Sequence, residues 1–388
     1  MIYLDYAATT PMSDKAMEVY VNVAKHYFGN SSSLHDTGSS AKQIKDASSK
    51  AIADILNGKA KEIHFTSGAS ESNFLAIQAL LDGSENEGKH IITTEIEHSS
   101  VIDVFKKLEA QGFEVSWLRV DKSGIVQIEE LKKLVRKDTV LVSIQHLNSE
   151  IGTLQPIKEV GAFLQQQGVL FHTDAVQSFG KFPIDVHDLN VDALSISAHK
   201  IYGPKGVGSV WLNPDKEWKP YFNDIHQTKK LKAGTDNVPG MAAFATAAKE
   251  AHSTMEAEFE RISSFSGIFK EKLSELDYEC VIEGNPENSS PYIQGIRFPG
   301  MEGQFLMLEC NQAGLAISTG SACQVGSDRP NRTMKAIGRS DEEAREFVRF
   351  SFGKNVKEDE LEEIIDKIDI ILKRHFNKVR RKTTSTHS

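Results

Sequence analysis

The sequence predicts an α/β protein: a large domain with a mostly parallel sheet flanked by helices, followed by a smaller α+β domain. Three observations predict it. Short β-branched runs alternate with helical patterns through the middle of the chain. After Gly240 that alternation stops, and a long helical region leads into separate strands and a last amphipathic helix. The length, 388 residues with 39% hydrophobic, is enough for two or three domains.

The strands read from the large domain are "EIHFTS", "KHIITTE", "FEVSWLRV", "TVLVSIQH", "VLFHTDA" and "ALSISA". Between them "ESNFLAIQALL", "SSVIDVFKKLEAQG", "QIEELKKLVRK" and "PIKEVGAFLQQQG" carry apolar residues at helical spacing. Such βα units build a parallel sheet, whose ligands gather at the carboxyl ends of the strands. In the second part, "MAAFATAAKEAHSTMEAEFERISSFSGIFKEKLSEL" reads as one long helical region. "YECVIEG", "YIQGIRFPG" and "VRFSFG" read as strands, and "DELEEIIDKIDIILKRHF" as the final helix. The basic, polar "NKVRRKTTSTHS" reads as a disordered tail.

Composition narrows the function classes. The net charge is −9, which argues against direct binding to nucleic acid backbone. The start, "MIYLDYAATTPMSD", has neither the basic nor the apolar region of a signal peptide. No window approaches the roughly 20 apolar residues of a membrane span. Three cysteines make no disulfide framework, so the expectation is a cytoplasmic protein with reduced thiols. Cys280 and Cys310 read as strand and helix core. Cys323 lies instead in "AISTGSACQVGSDRP", a polar stretch with nothing to pack against, and reads as part of a mobile loop.

The strand ends carry the chemistry. In "HFTSGASESN", Gly68 allows close approach of a ligand, and Ala69 and Ser70 offer amide N–H groups at a helix start. The same residues also read as a capping box on Ser67. His98 follows "KHIITTE" and Asn148 follows "TVLVSIQH", in segments that also suit caps and turns. Asp174 ends an apolar strand, where a carboxylate needs a partner; Gln177 is near it in sequence. Ser197, His199 and Lys200 lie between a strand and a Gly-rich turn, and burial can push a lysine toward its neutral, nucleophilic form. Together they suit pyridoxal phosphate (PLP), which needs a lysine for its Schiff base, an acid for its pyridine nitrogen and an anion cup for its phosphate. Lys200, Asp174 and the Gly68–Ser70 turn provide these, and His98 provides a ring to cover the pyridine.

At this point the chain resembles the cysteine desulfurases of the NifS/IscS type, within the fold-type I PLP enzymes. The resemblance rests on "YLDYAATTP", "FGN" with "LHDTG", "FTSGASESN", "EHSSV", "HLNSEIGTLQPI", "HTDAVQSFGKFPID", "SISAHKIYGPKGVG", "STGSACQ" and "VRFSFG", in order along nearly the whole chain. It implies that Lys200 binds the cofactor and moves the Cα proton of the substrate. It implies Asp174 on the pyridine nitrogen and Gln177 on the phenolic oxygen. Ala69, Ser70, Ser197 and His199 would hold the phosphate, joined by Thr235 from a partner subunit, hence a homodimer. His98 would stack on the ring and serve in proton transfer, with Asn148 beside ring and substrate. Arg349, with Asn30, would bind the carboxylate of L-cysteine, and Cys323 would take its sulfur. No metal is implied.

The implied layout has residues 1–15 packing with the small domain, 16–257 as the large domain, 258–376 as the small domain and 377–388 as the tail. Cys323 precedes Arg349 by 26 residues, similar to the long-loop subgroup. That implies a sulfur-acceptor protein, an iron–sulfur scaffold or a tRNA-thiolating enzyme. The chain departs from the family pattern in "YFNDIHQTKKLKAGTDNVPG", where Lys232 replaces Arg, and at Tyr292, where Asn is common. Three alternatives stay open: an aminotransferase, a selenocysteine lyase, and a family member that has lost activity. An aminotransferase has no need of Cys323; the altered 223–232 stretch is what speaks for lost activity.

Overall fold

The computed structural model describes residues 1–221, 231–320 and 330–385. Strands β1 (Ile2–Tyr3), β2 (Ile63–Thr66), β3 (His90–Thr94), β4 (Glu114–Leu118), β5 (Thr139–Ser143), β6 (Leu170–Asp174), β7 (Ala193–Ser197), β8 (Gly208–Leu212), β9 (Val281–Glu283), β10 (Ile293–Arg297), β11 (Leu315–Ala316) and β12 (Phe347–Ser351) follow in chain order. Seven of them form one sheet in the order β2-β8-β7-β6-β5-β3-β4. The pairs β7–β6, β6–β5, β5–β3 and β3–β4 are parallel. The short run "GSVWL" becomes β8, a strand that the alternation of strands and helices does not reveal. It is antiparallel to both β2 and β7. Two reversals cancel, so β2 runs in the same sense as β7. The carboxyl ends of β2, β3, β5, β6 and β7 therefore share one edge of the sheet.

Both faces of this sheet are covered, which is why its inner strands are buried along their whole length. One core holds Ile92, Val142, Phe171, Ile196 and Phe244; the other holds Leu75, Phe105, Leu141, Leu170 and Val210. Several buried strand positions are polar and find partners across strands. His172 sits between Ser143 Oγ at 2.8 Å and Ser195 Oγ at 3.0 Å. Burial lowers its pKa to about 3, so this ladder holds a neutral imidazole.

A second sheet, β12-β10-β9, is antiparallel, and Phe350 on β12 with Phe352 just beyond it packs on Phe265 and Phe269. The N-terminal segment enters the same core through Ile2, Leu4 and Tyr6, and β1 pairs with β11. Two elements differ from the sequence reading. The single helical region over 241–276 is two helices, Val238–Ser253 and Met255–Ser274. Between them Thr254 returns its hydroxyl to Glu250 O at 3.0 Å, a side-chain bond that bends helices. The last helix runs Leu361–Ser385, into the stretch read as a disordered tail. Lys378, Arg380, Arg381 and Lys382 are good helix formers, and the amphipathic turns before them supply the nucleus.

Candidate active site

A cavity of about 510 Å³ opens at the shared strand edge, lined by Ala69, Ser70, His98, Asp174, Gln177, His199, Lys200 and Arg349 among others. Each reaches it for a local reason. β7 ends at Ser197 and turns through a single 3-10 turn, Ala198–Lys200. Tyr202, just beyond, takes a positive φ of 67°, a strained choice for an aromatic residue. It is held there by Ser13 N donating to its carbonyl at 2.9 Å and by its own N–H donating to Thr10 Oγ1 at 2.8 Å. The N-terminal segment thereby fixes the Lys200 turn.

Lys200 Nζ donates to the carbonyls of Ala7 at 2.5 Å and Ala8 at 2.7 Å. Burial, reinforced by the nearby cations Arg349 and Lys181, lowers its pKa to about 7. A neutral amine is thus available at ordinary pH. Asp174 closes β6, with Oδ1 accepting from Val176 N at 2.9 Å and Oδ2 from Asn73 Nδ2 at 2.8 Å. Gln177 donates through Nε2 to Ala7 O at 2.8 Å and accepts at Oε1 from Lys181 Nζ at 3.4 Å.

The anion cup is clearer in the structure than in the sequence. Gly68, not Ser67, is the N-cap of helix Ala69–Gly83, and no side chain caps it. Its φ of 148° belongs to glycine alone. A Cβ on Gly208 of β8 would stand 2.8 Å from Gly68 Cα, so the cup and the strand behind it approach through two glycines. Glu71 Oε2 reaches back to Ser67 N at 2.6 Å, half of a capping box, and also receives Lys232 Nζ at 2.7 Å. The Ser197 hydroxyl, at the end of β7, is buried and has no hydrogen-bond partner among the described residues. A helix start without a capping side chain and a buried free hydroxyl are what a phosphate needs. The residues present therefore fit PLP.

His98 is the N-cap of helix Ser99–Ala110 and accepts at Nδ1 from Ser100 N at 3.2 Å. Burial lowers its pKa. His199 Nδ1 lies 3.1 Å from Thr9 Oγ1, and burial with Lys200 beside it lowers its pKa to about 4. Arg349, on β12, bonds Asp5 Oδ1 at 2.7 Å and Ser149 O at 2.8 Å, while its Nε is buried without a partner among the described residues.

Three expected residues stand elsewhere. Asn148 is 1% exposed and its polar atoms hold a turn: Nδ2 donates to Ile96 O at 3.1 Å, and Oδ1 accepts from Glu150 N and Ile151 N, both at 2.9 Å. Its neighbours Leu147 and Ser149 line the cavity in its place. Asn30 is exposed, and its Oδ1 accepts from Ser32 N at 3.0 Å. Thr235 lines a second cavity of about 340 Å³, which shares Ser67 and Gly206 with the first. Cys323 lies outside the described residues, as do residues 223–230 of the stretch that departs from the family pattern. Cys310 is buried in helix Gly303–Gln312, as read; Cys280 sits just before β9, partly buried, with its thiol pushed up to about 11 by burial. Sequence reasoning missed Asp5, Asn73, Ser100 and Lys181. Asp5 and Asn73 sit inside quoted motifs, but only the fold shows which strand ends they meet.

A mostly parallel sheet with a buried lysine, a strand-end aspartate and a helix-start anion cup at one edge defines a class of PLP-type folds. The sequence profile of the aminotransferase class-V family matches residues 2–364. A NifS chain of Bacillus subtilis (strain 168) is 43% identical over 373 residues, 96% of this chain and 94% of that one. Cysteine desulfurase IscS of Dictyoglomus turgidum (strain DSM 6724 / Z-1310) is 37% identical over 373 residues, 96% and 95% of the two chains. A solved NifS-like protein superposes with a TM-score of 0.89 at 32% identity, covering 96% of this chain and 99% of its own. The chain belongs to the aminotransferase class-V family, as a cysteine desulfurase of the NifS/IscS type. No described helix is long and apolar enough to cross a membrane.

Proposed function

We propose that this chain takes sulfur from L-cysteine, with PLP held at the strand edge, and passes it through Cys323 to an acceptor protein. The observation that carries the reading is Lys200: a buried amine whose pKa is lowered to about 7, beside Asp174 and an uncapped helix start. Asp174 would hold the pyridine nitrogen, Gln177 the phenolic oxygen, and Ala69, Ser70, Ser197 and His199 the phosphate. Thr235 of a second copy would complete the phosphate site in a homodimer. PLP supplies an electron sink for the bond broken at the substrate Cα. Lys200, once released, takes and returns the proton of that carbon. Arg349, with an unpartnered N–H, binds the substrate carboxylate.

The thiolate of Cys323 attacks the substrate sulfur. An S–S bond forms, the Cβ–S bond breaks, and its electron pair returns to carbon, which takes a proton to give alanine. Cys323 is left as a persulfide. A thiolate is required, since the thiol is a poor nucleophile. The acceptor belongs to iron–sulfur, thio-cofactor or tRNA-thiolation chemistry, and the setting is the cytoplasm.

Purified protein should be yellow, with a borohydride-reducible link to the cofactor that Lys200→Ala abolishes, together with roughly 10³-fold or more of the sulfide release from cysteine. Cys323→Ser should retain the colour and its change on adding cysteine, yet release almost no sulfide. A colourless wild type would sink the cofactor assignment, and undiminished turnover in Cys323→Ser would remove the thiol from the reaction.

A further inference from the structure

His98 is held by more than its place at a helix start. Asn73, on the facing helix Ala69–Gly83, is fully buried. Its Nδ2 donates to Asp174 Oδ2 at 2.8 Å and to Ser100 Oγ at 2.9 Å. An ionised carboxylate only accepts hydrogen bonds, so the amide must face Asp174 with its nitrogen. Both amide hydrogens are then in use. Ser100 Oγ lies 2.8 Å from His98 Nδ1. Having accepted from Asn73, the hydroxyl has its own hydrogen free for that nitrogen. The backbone N–H of Ser100 points to the same atom at 3.2 Å. Nδ1 thus meets two donors and must offer a lone pair.

We infer that Asn73 and Ser100 are positioning residues that fix His98 as the neutral tautomer with its proton on Nε2. A hydroxyl has two acceptor sites, so the direction is set by the Ser100 backbone N–H, which makes Nδ1 an acceptor and leaves the Ser100 hydroxyl, accepting from Asn73, to donate to it as well. His98 then presents an N–H and an aromatic face to the cavity, with no basic lone pair. Proton removal at this edge then falls to Lys200, and His98 keeps the donating half of the proton-transfer role implied for it by family resemblance. That chemical consequence rests on the function proposed above; the tautomer does not.

The surroundings act in the same direction on balance. Burial opposes a charge on His98; Asp174 and Glu150 favour it, and Lys200 and Arg332 oppose it.

The test is 15N NMR of histidine-labelled protein, as purified and after removal of any bound cofactor. The method separates a protonated from an unprotonated ring nitrogen, and His98→Gln identifies the signal among 13 histidines. Wild type should show Nε2–H and bare Nδ1 from pH 8 to below the ordinary histidine range. A protonated Nδ1 at pH 7 overturns the proposal. Ser100→Ala should let the Nδ1–H form appear and raise the titration by about half a pH unit, the size of one lost hydrogen bond. Ser100→Thr, which keeps the hydroxyl, should restore the wild-type spectrum. An unchanged spectrum in Ser100→Ala would leave the backbone N–H as the only lock and remove both side chains from the role. If Ser100→Ala does not fold, Asn73→Ala tests the same chain from its other end: it should loosen the tautomer, and no change there overturns the part assigned to Asn73. A protein that holds no PLP would sink the proposed function and still give the tautomer, so the two failures are distinguishable.

Discussion

Two of the places where the molecule buries charge treat it in opposite ways. At the three-stranded sheet, Glu283 is enclosed by guanidinium groups: Arg297 Nε at 2.6 Å and Arg339 Nη2 at 2.7 Å. Arg297 also meets Glu346 at 2.8 Å. At the strand edge of the large sheet, buried cations are left with little. Among the described residues, Lys200 bonds two backbone carbonyls, and Lys181 has an amide oxygen at 3.4 Å and the Tyr292 ring at 5.7 Å. Arg349 Nε and the Ser197 hydroxyl have no partner among the described residues. A buried charge that is fully paired serves the fold, since removing one partner strands the other. Buried donors left short of partners are costly to keep, and they mark where a ligand completes the set.

The largest expected effect breaks the paired side. Glu283→Ala leaves Arg297 buried with part of its carboxylate shell gone. Stability should fall by about 3 kcal/mol, read as a lower urea midpoint at unchanged slope. The optical and kinetic behaviour of the protein that stays folded should match wild type. A change in cofactor spectrum without loss of stability would show that the two regions are not separable.

The next breaks the underpaired side. Lys181 is buried, and burial together with Arg349 lowers its pKa to about 8. It also contributes to the lowered pKa of Lys200. Lys181→Met removes that cation, so Lys200 should titrate higher and the rising limb of the pH–rate profile should move to alkaline pH by about half a unit. The sign for stability is opposite to that of Glu283→Ala. A lysine with a depressed folded pKa binds fewer protons than in the unfolded chain between about pH 8 and its ordinary 10.5. It therefore costs stability as pH falls through that window, and Lys181→Met should be more stable than wild type at pH 7. A loss of stability would mean that the Tyr292 contact outweighs the burial of the charge.

How much of this was legible in the sequence follows the same division. Lys200, Asp174, His98 and Gln177 could be placed because each closes or follows an apolar run, and parallel strands gather their ends at one edge. The family resemblance named the roles. What could not be read needed contacts between distant segments. Lys181 sits in "SFGKFPID" like any surface lysine until the fold buries it and brings Gln177 and the Tyr292 ring to its amine. Asn148 looks like a site residue from its place after β5, yet its amide oxygen holds its own turn and its Nδ2 donates to Ile96 O. The strand β8 was hidden because "GSVWL" follows a Gly-rich turn with no helix between, which breaks the βα rhythm the other strands keep. The uncapped start at Gly68 was ambiguous until Glu71 proved to reach Ser67 and not the cup.

The smallest expected effect lies where the two treatments of charge meet. Lys232 stands where the family usually has Arg, and its amine bonds Glu71 Oε2 at 2.7 Å, beside the anion cup. The pair is about one-third exposed on each side, so it contributes little to stability, within about 1 kcal/mol. Its interest is positional. Glu71 is lowered in pKa despite its burial by bonds from Lys232 and Ser67, and an anion so close to a phosphate site needs a cation on it. Lysine neutralises Glu71 with a single point charge, whereas arginine also offers a planar fork. Lys232→Arg should therefore keep or raise the affinity for PLP and the turnover, by about threefold at most, because a second N–H becomes free for the cup. Titrating the cofactor-free variant with PLP by fluorescence reads this directly. A clear loss of affinity would show that this edge is built around the smaller cation, and that its shortage of donors is tuned to leave room for the phosphate.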